Sequence, residues 1–127
     1  MSKRILIVDD NMINRKLAAA ILSRNGWETA DASDGNQALS MLAGDHGFAV
    51  VLLDISMPGL NGDEVCRILR ADPRTARLPI VAYTAHAMEE DRGRFLEAGF
   101  DAVAIKPVTQ ASLLGCLEQA QAARGVA

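Results

Sequence analysis

The chain has 127 residues, of which 50% are hydrophobic and 23% are charged, and its formal net charge is −3. This length and composition predict one folded domain over residues 1–127, because about two-thirds of the unfolded surface can be buried without disulfides or a structural metal. The acidic balance argues against a nucleic-acid surface. With no signal-peptide stretch and no apolar run near the roughly 20 residues that span a bilayer, we expect a cytoplasmic protein with Cys66 and Cys116 as reduced thiols.

The first half of the chain alternates continuous apolar runs with stretches of helical periodicity. An apolar run at 4–8 stops at Asp9, which predicts a strand buried on both faces. Apolar residues recur at helical spacing within 12–25, at Ile13, Leu17, Ala20 and Ile21, and Gly26 supplies the stop. The next predicted elements are a strand over 27–31, a helix over 36–43 and a second buried strand over 48–53.

The second half repeats this alternation. A loop at 55–62, marked by Pro58-Gly59 and Asn61-Gly62, precedes a helix that carries Val65, Ile68 and Leu69 and ends at Asp72-Pro73. The remaining predicted elements are a strand over 79–83, a helix over 87–98, a strand over 102–105 and a last helix over 111–123. Five strands alternating with five helices predict an α/β fold with a doubly wound, flavodoxin-like parallel sheet in the order 2-1-3-4-5.

Polar side chains follow four of the five predicted strands. Asp9 and Asp10 follow the first strand, Asp54 the third, Thr84 the fourth and Lys106 the fifth. Ligands of such sheets bind outside the carboxyl ends of the strands, so these side chains are expected at one edge. Carboxylates about 5 Å apart repel by roughly 3 kcal/mol per pair at an effective dielectric of about 20, and cations must offset this. Lys106 supplies one charge, and hard oxygen ligands favour Mg²⁺ as the other.

A divalent cation beside a carboxylate, a hydroxyl and an ammonium is suited to binding a phosphoryl group. No glycine-rich phosphate loop follows the first strand, and no Ser-His-Asp or Cys-His set is evident in the sequence. We therefore expect the phosphoryl group to become attached to the protein, with a carboxylate at a strand end as the acceptor. Singly, Asp9 and Asp10 would be interpreted as caps of the first helix.

Four motifs support a family resemblance: ILIVDDN at 5–11, LDISMPGLNG at 53–62, AYTA at 82–85 and IKP at 105–107. With these motifs in order, the chain resembles receiver domains of two-component response regulators, of the stand-alone type, over essentially its whole length. The resemblance implies that Asp54 accepts the phosphoryl group. It also implies that Mg²⁺ is held by Asp9, Asp10, Asp54 and the carbonyl of Ser56, that Thr84 and Lys106 contact the phosphoryl oxygens, and that the Lys106-Pro107 peptide is cis.

The resemblance also implies the partners. The phosphoryl donor would be a histidine kinase or a His-containing phosphotransfer protein, and the output would act by contact with a downstream protein. The helix within 11–22 would offer part of its apolar face to a partner helix, and the helices near 87–98 and 111–123 would form the output surface. Such a domain catalyses only its own phosphorylation and dephosphorylation.

Three alternatives stay open. In the first, the chain is a receiver excised from a hybrid sensor kinase, whose receivers share the Asp-Asn-x-x-Asn-Arg pattern found at 10–15. In the second, it is a Mg²⁺-dependent phosphohydrolase with Asp54 or Asp9 as nucleophile. In the third, it is a receiver-like protein that binds partners without phosphorylation. Val103 stands where family members usually carry an aromatic residue, so the rotation of an aromatic ring at this position cannot signal the change of state on phosphorylation. His86 either tunes hydrolysis or is solvated, and Tyr83 belongs to the core or to a partner surface.

Overall fold

The protein is described by a computed structural model that covers residues 3–44, 47–85 and 89–125, with residues 89, 90 and 92 described by their backbone alone. The five strands are β1 (Arg4–Val8), β2 (Glu28–Ala32), β3 (Val50–Asp54), β4 (Ile80–Thr84) and β5 (Ala102–Ile105). The five helices are α1 (Met12–Arg24), α2 (Gly35–Leu42), α3 (Gly62–Ala71), α4 (Glu89–Ala98) and α5 (Gln110–Ala123). Every predicted element is therefore present within a few residues of its predicted bounds. His46 and His86, and the predicted start of the fourth helix at residue 87, lie outside the described residues.

The strands form one parallel sheet in the order β2-β1-β3-β4-β5, which confirms the predicted fold. Its two faces are covered by separate sets of helices, as a doubly wound sheet requires. The buried residues of α2, α3 and α4 pack on one face, and those of α1 and α5 pack on the other. All five residues of β3 are buried, because this strand lies at the centre of the sheet and is covered on both sides.

The first helix is capped by Asn11, whose side chain accepts a hydrogen bond from the backbone N–H of Asn14. The interpretation of Asp9 and Asp10 as helix caps is therefore wrong in this structure. A neighbouring residue satisfies the free N–H at the helix start, and the two carboxylates remain at the strand end.

The buried face of α1 differs from the stripe that the sequence indicates. Ile13 and Leu17 are 73% and 40% exposed, whereas Ala18, Ile21 and Leu22 are buried against the sheet. Ile68 of α3 is likewise 45% exposed. Apolar spacing identifies a helix, but it does not decide which of two adjacent apolar stripes meets the sheet.

A network of charged groups ties the helices together at the amino ends of the strands. Arg70 donates to the carbonyl oxygens of Leu78 at 2.6 Å and Gly99 at 3.0 Å, and pairs with the Asp101 carboxylate at 2.9 Å. Arg124 pairs with the other oxygen of Asp101 at 2.8 Å. This network joins the C-terminal ends of α3, α4 and α5 to the starts of β4 and β5.

Two further expectations concern membranes and thiols. None of the helices within the described ranges has the length and apolar character needed to cross a membrane. Cys66 is buried and Cys116 is half-buried, and both are free thiols, as predicted.

Candidate functional site

The strand ends bring the predicted site residues to one edge of the sheet. Asp9 and Asp54 are buried, with 0% and 3% of their surfaces exposed, and Thr84 is 8% exposed. The sheet hydrogen bonding continues into this edge: the N–H of Asp9 donates to Ala32 O at 3.1 Å, and that of Lys106 donates to Thr84 O at 2.8 Å. The backbone therefore fixes where each of these side chains starts.

Lys106 bridges the two buried carboxylates. Its Nζ lies 2.8 Å from Oδ2 of Asp9 and 3.2 Å from Oδ1 of Asp54, and its side chain is 14% exposed. Each carboxylate also accepts one backbone N–H, from Asn11 to Asp9 at 2.8 Å and from Ser56 to Asp54 at 3.2 Å. A buried ion pair needs such additional hydrogen bonds to offset the loss of water.

Asp10 adds a third carboxylate, and it is exposed. Asp9, Asp10 and Asp54 each offer an oxygen that lies within 4.8 Å of the others. Oδ2 of Asp9 is buried and contacts the Lys106 ammonium at 2.8 Å, and because a carboxylate oxygen has two lone pairs it can accept a cation as well. Because one ammonium faces three carboxylates, the site retains negative charge that a small divalent cation with oxygen ligands would neutralise.

The two buried carboxyl groups titrate differently. Burial, together with the charge of Asp9, raises the pKa of Asp54 from 3.8 to about 7. Burial also opposes ionisation of Asp9, but the Lys106 ammonium and the N–H of Asn11 outweigh it and hold the Asp9 pKa below 3.8. Without a divalent cation, Asp9 is therefore ionised at neutral pH, whereas Asp54 is only partly ionised.

The loop after β3 is held close to the site by a glycine. The N–H of Gly62 donates to Ile55 O at 2.9 Å. A Cβ at Gly62 would overlap the carbonyl oxygen of Asp54 and would come within 2.8 Å of Cα of Ile55. Only glycine lets the start of α3 approach the backbone of Asp54 this closely.

The structure brings Asp9, Asp10, Asp54 and Lys106 together as the sequence predicts. Ser56 is exposed and contributes a backbone N–H to Asp54, while the role of its carbonyl in metal binding stays a prediction. Thr84 ends β4 at the same edge. The Lys106-Pro107 peptide is cis, as the resemblance implies.

Sequence reasoning missed the roles of two residues beside the site. The guanidinium of Arg15 donates to Asp9 O at 2.7 Å and to the Asp31 carboxylate at 2.8 Å, which ties α1 to the end of β1 and to β2. The position of Arg15 one turn after the cap residue Asn11 is a usable sequence signal for its contact with the Asp9 carbonyl. Tyr83 is fully buried, which places it in the core, and Lys106 Nζ lies over its ring, 4.7 Å from the centroid.

Comparisons with known proteins agree with this arrangement. The profile of the response regulator receiver domain matches residues 5–118. The chain is 42% identical over 113 residues to the response regulator PleD of Caulobacter vibrioides, an alignment that covers 89% of this chain and 25% of PleD. It is 36% identical over 109 residues to the polar-differentiation response regulator DivK of Brucella ovis, covering 86% of this chain and 88% of DivK.

A solved structure with a similar fold comes from Pseudomonas aeruginosa PAO1. It is the receiver domain of a sensor histidine kinase, described with a magnesium ion coordinated in its active-site cleft. Its TM-score is 0.82 at 32% sequence identity, and the match covers 98% of this chain and 99% of that one. Profile, relatives and fold thus agree along nearly the whole chain, which belongs to the receiver domains of two-component response regulators.

Proposed function

We propose that this receiver domain is a phosphorylation-controlled signalling module in which Asp54 takes a phosphoryl group from a phosphohistidine donor. The observation that carries the proposal is the pairing of two buried carboxylates, Asp9 and Asp54, through a single ammonium, that of Lys106. Such a cluster is costly for a merely structural role, because each buried charge loses its hydration. It is useful where a phosphoryl group and a divalent cation share one pocket.

The proposed cation is Mg²⁺, held by carboxylate oxygens of Asp9, Asp10 and Asp54 and by the carbonyl of Ser56. The oxygens within 4.8 Å of one another and the burial of Asp9 and Asp54 support this ligand set. When bound, the ion supplies positive charge that favours the ionised form of Asp54 and neutralises phosphoryl oxygens.

Asp54, Lys106 and Thr84 have separate roles in the proposed transfer of the phosphoryl group. An oxygen of Asp54 forms a bond to phosphorus while the P–N bond of the donor phosphohistidine breaks, and the released imidazole takes up a proton from solvent. Lys106, already 3.2 Å from Asp54, would follow the negative charge onto the phosphoryl oxygens, and the Thr84 hydroxyl would donate a hydrogen bond to one of them.

The partners follow from exposed surfaces near the site. Met12, Ile13 and Leu17 are 55%, 73% and 40% exposed and lie on α1, which begins directly after Asp10 and Asn11. We assign this apolar surface to the histidine kinase or phosphotransfer protein that presents its phosphohistidine to Asp54. The output surface would comprise α4, β5 and α5, where Leu96 and Ile105 are 67% and 43% exposed.

Phosphorylation of the purified chain by acetyl phosphate in the presence of Mg²⁺ tests the proposal. Intact mass is expected to rise by one phosphoryl group in the wild type and to stay unchanged in Asp54→Asn. Glu118→Gln is the control, because it neutralises an exposed carboxylate on α5 and is expected to label like the wild type. Equal labelling of Asp54→Asn would refute the proposal, and repeated turnover of a phosphate ester, lost in Asp9→Ala, would favour a phosphohydrolase instead.

A further inference from the structure

Tyr83 lies beside the site although no step of the proposed chemistry uses it. It is the last residue of β4 before Thr84, and the sheet pairs it with Asp54 on β3 and Ala104 on β5. Its side chain is fully buried, and its hydroxyl has no hydrogen-bond partner in the described part of the chain. The polar contact of this side chain is therefore made by the ring, over which Lys106 Nζ lies 4.7 Å from the centroid.

This contact has the geometry of a cation–π interaction. The face of an aromatic ring carries partial negative charge, and an ammonium within about 6 Å of the centroid is attracted to it, more strongly where water is excluded. Lys106 is 14% exposed, so the contact is largely shielded from solvent. Because a lysine side chain has four rotatable carbons and a single terminal charge, its position depends on such contacts.

The other two contacts of Lys106 change during the proposed reaction. Asp54 would become an acyl phosphate whose negative charge lies on the phosphoryl oxygens, and Asp9 would become a ligand of the divalent cation, so the contacts of the ammonium with both carboxylates would change. The ring of Tyr83 is not altered by either event. It is the constant partner of Lys106 in this pocket.

We propose that Tyr83 is a positioning residue whose ring face holds the Lys106 ammonium at the site while Asp9 and Asp54 take on their roles in phosphoryl transfer. This inference rests on the proposed function of Lys106. It requires the aromatic ring of Tyr83 and assigns no role to its hydroxyl.

Variants at this position separate the ring from the hydroxyl. We expect Tyr83→Phe to keep the wild-type rate of phosphorylation by acetyl phosphate at saturating Mg²⁺. Tyr83→Leu, and pentafluorophenylalanine at the same position, are expected to react about 3- to 30-fold more slowly, because they lack a negative ring face. The fluorinated ring preserves the shape of the core, which keeps the test valid if the leucine variant folds poorly.

A control in the same core distinguishes positioning from packing. Val81 is a buried residue of β4 in the same cluster as Tyr83, and its aliphatic side chain has no ring face to offer a cation. Val81→Ala is expected to lower the free energy of unfolding without slowing phosphorylation of the folded protein. If it slows the reaction as much as Tyr83→Leu does, the effect arises from packing and the inference is wrong.

Lysine NMR gives a direct readout of the contact. The chain has three lysines, Lys3, Lys16 and Lys106, so isotope labelling of the ε-methylene groups gives a simple spectrum that Lys106→Arg assigns. Ring current is expected to shift the Lys106 signal upfield in the wild type and in Tyr83→Phe, and not in Tyr83→Leu. Lys16, which is exposed, provides the reference.

The outcomes separate this inference from the proposed function. A slow Tyr83→Leu together with a normal Tyr83→Phe and an upfield Lys106 signal supports the positioning role. Equal rates in the two variants, or a Lys106 signal at its ordinary position, overturn that role while the phosphorylation of Asp54 stands. A wild type that never gains a phosphoryl group overturns both.

Discussion

Replacing Asp54 by asparagine is expected to stabilise the metal-free protein, and to do so more strongly as the pH rises. The pKa of Asp54 is 3.8 in its ordinary state and about 7 in the folded protein. When folding raises the pKa of a carboxyl group, its contribution to the stability of the folded protein is fully present below the unfolded pKa. That contribution is lost as the pH rises through the folded pKa. Ionised Asp54 therefore weakens the folded state at neutral and alkaline pH, whereas asparagine carries no charge at any of these pH values.

The size of the effect follows from the two pKa values. A difference of about 3 pKa units corresponds to about 4 kcal/mol between fully protonated and fully ionised Asp54, since each unit is worth about 1.4 kcal/mol. Roughly a third of this difference is already present at about pH 5, above the unfolded pKa. The advantage of Asp54→Asn over the wild type is thus expected to grow by about 2 to 3 kcal/mol between about pH 5 and about pH 8.

Urea unfolding in EDTA, followed by the fluorescence of Trp27, measures this difference. Trp27 is the single tryptophan of the chain and is 8% exposed in the folded protein. Glu118→Gln is the control, because it removes one negative charge from the exposed surface of α5 and leaves the buried pair untouched. A stability difference between Asp54→Asn and wild type that does not change with pH, or a destabilised Asp54→Asn at about pH 8, would refute this account of the buried carboxylates.

Three other expectations test the site and its surroundings. Millimolar Mg²⁺ should raise the Tm of the wild type, because it binds only the folded site, and should raise the Tm of Asp10→Asn by a smaller amount. A wild-type Tm that does not change with Mg²⁺ in calorimetry would argue against a metal site. Gly62→Ala should lower the free energy of unfolding by about 1 to 3 kcal/mol through its clash with the backbone of Asp54. Gly115→Ala, in α5 with open space around it, should raise the free energy of unfolding by about 0.5 to 1 kcal/mol. Urea titrations that show no loss of stability in Gly62→Ala would contradict the close approach of α3 to Asp54. Ile13→Asp should leave labelling by acetyl phosphate unchanged but slow transfer from a phosphorylated phosphotransfer protein, and an unchanged transfer rate would exclude this part of α1 as the donor surface.

The parts of the site that the sequence predicts are those set by the backbone of the sheet. Asp54 and Thr84 are the last residues of their strands, Asp9 and Lys106 directly follow theirs, and parallel strands bring their carboxyl ends to one edge. Their gathering therefore depends on the strand order and hardly at all on side-chain detail.

The parts that the sequence does not predict depend on the rotation of a helix or on the reach of a side chain. The apolar residues of α1 form two adjacent stripes, and only packing decides that Ala18, with its small side chain, faces the sheet while Ile13 faces outward. The contacts of Arg15 with the Asp31 carboxylate and of Tyr83 with Lys106 join residues that are far apart in sequence. Local periodicity carries no information about such long-range pairs.

The Arg70 network has a mechanical consequence for the receiver. It anchors the carbonyl of Gly99, directly after α4, to the guanidinium of Arg70, and Asp101 is clamped between two arginines. The C-terminal end of α4 is therefore tied to the starts of β4 and β5, and a shift of this end would have to break charged contacts whose side chains are largely shielded from water.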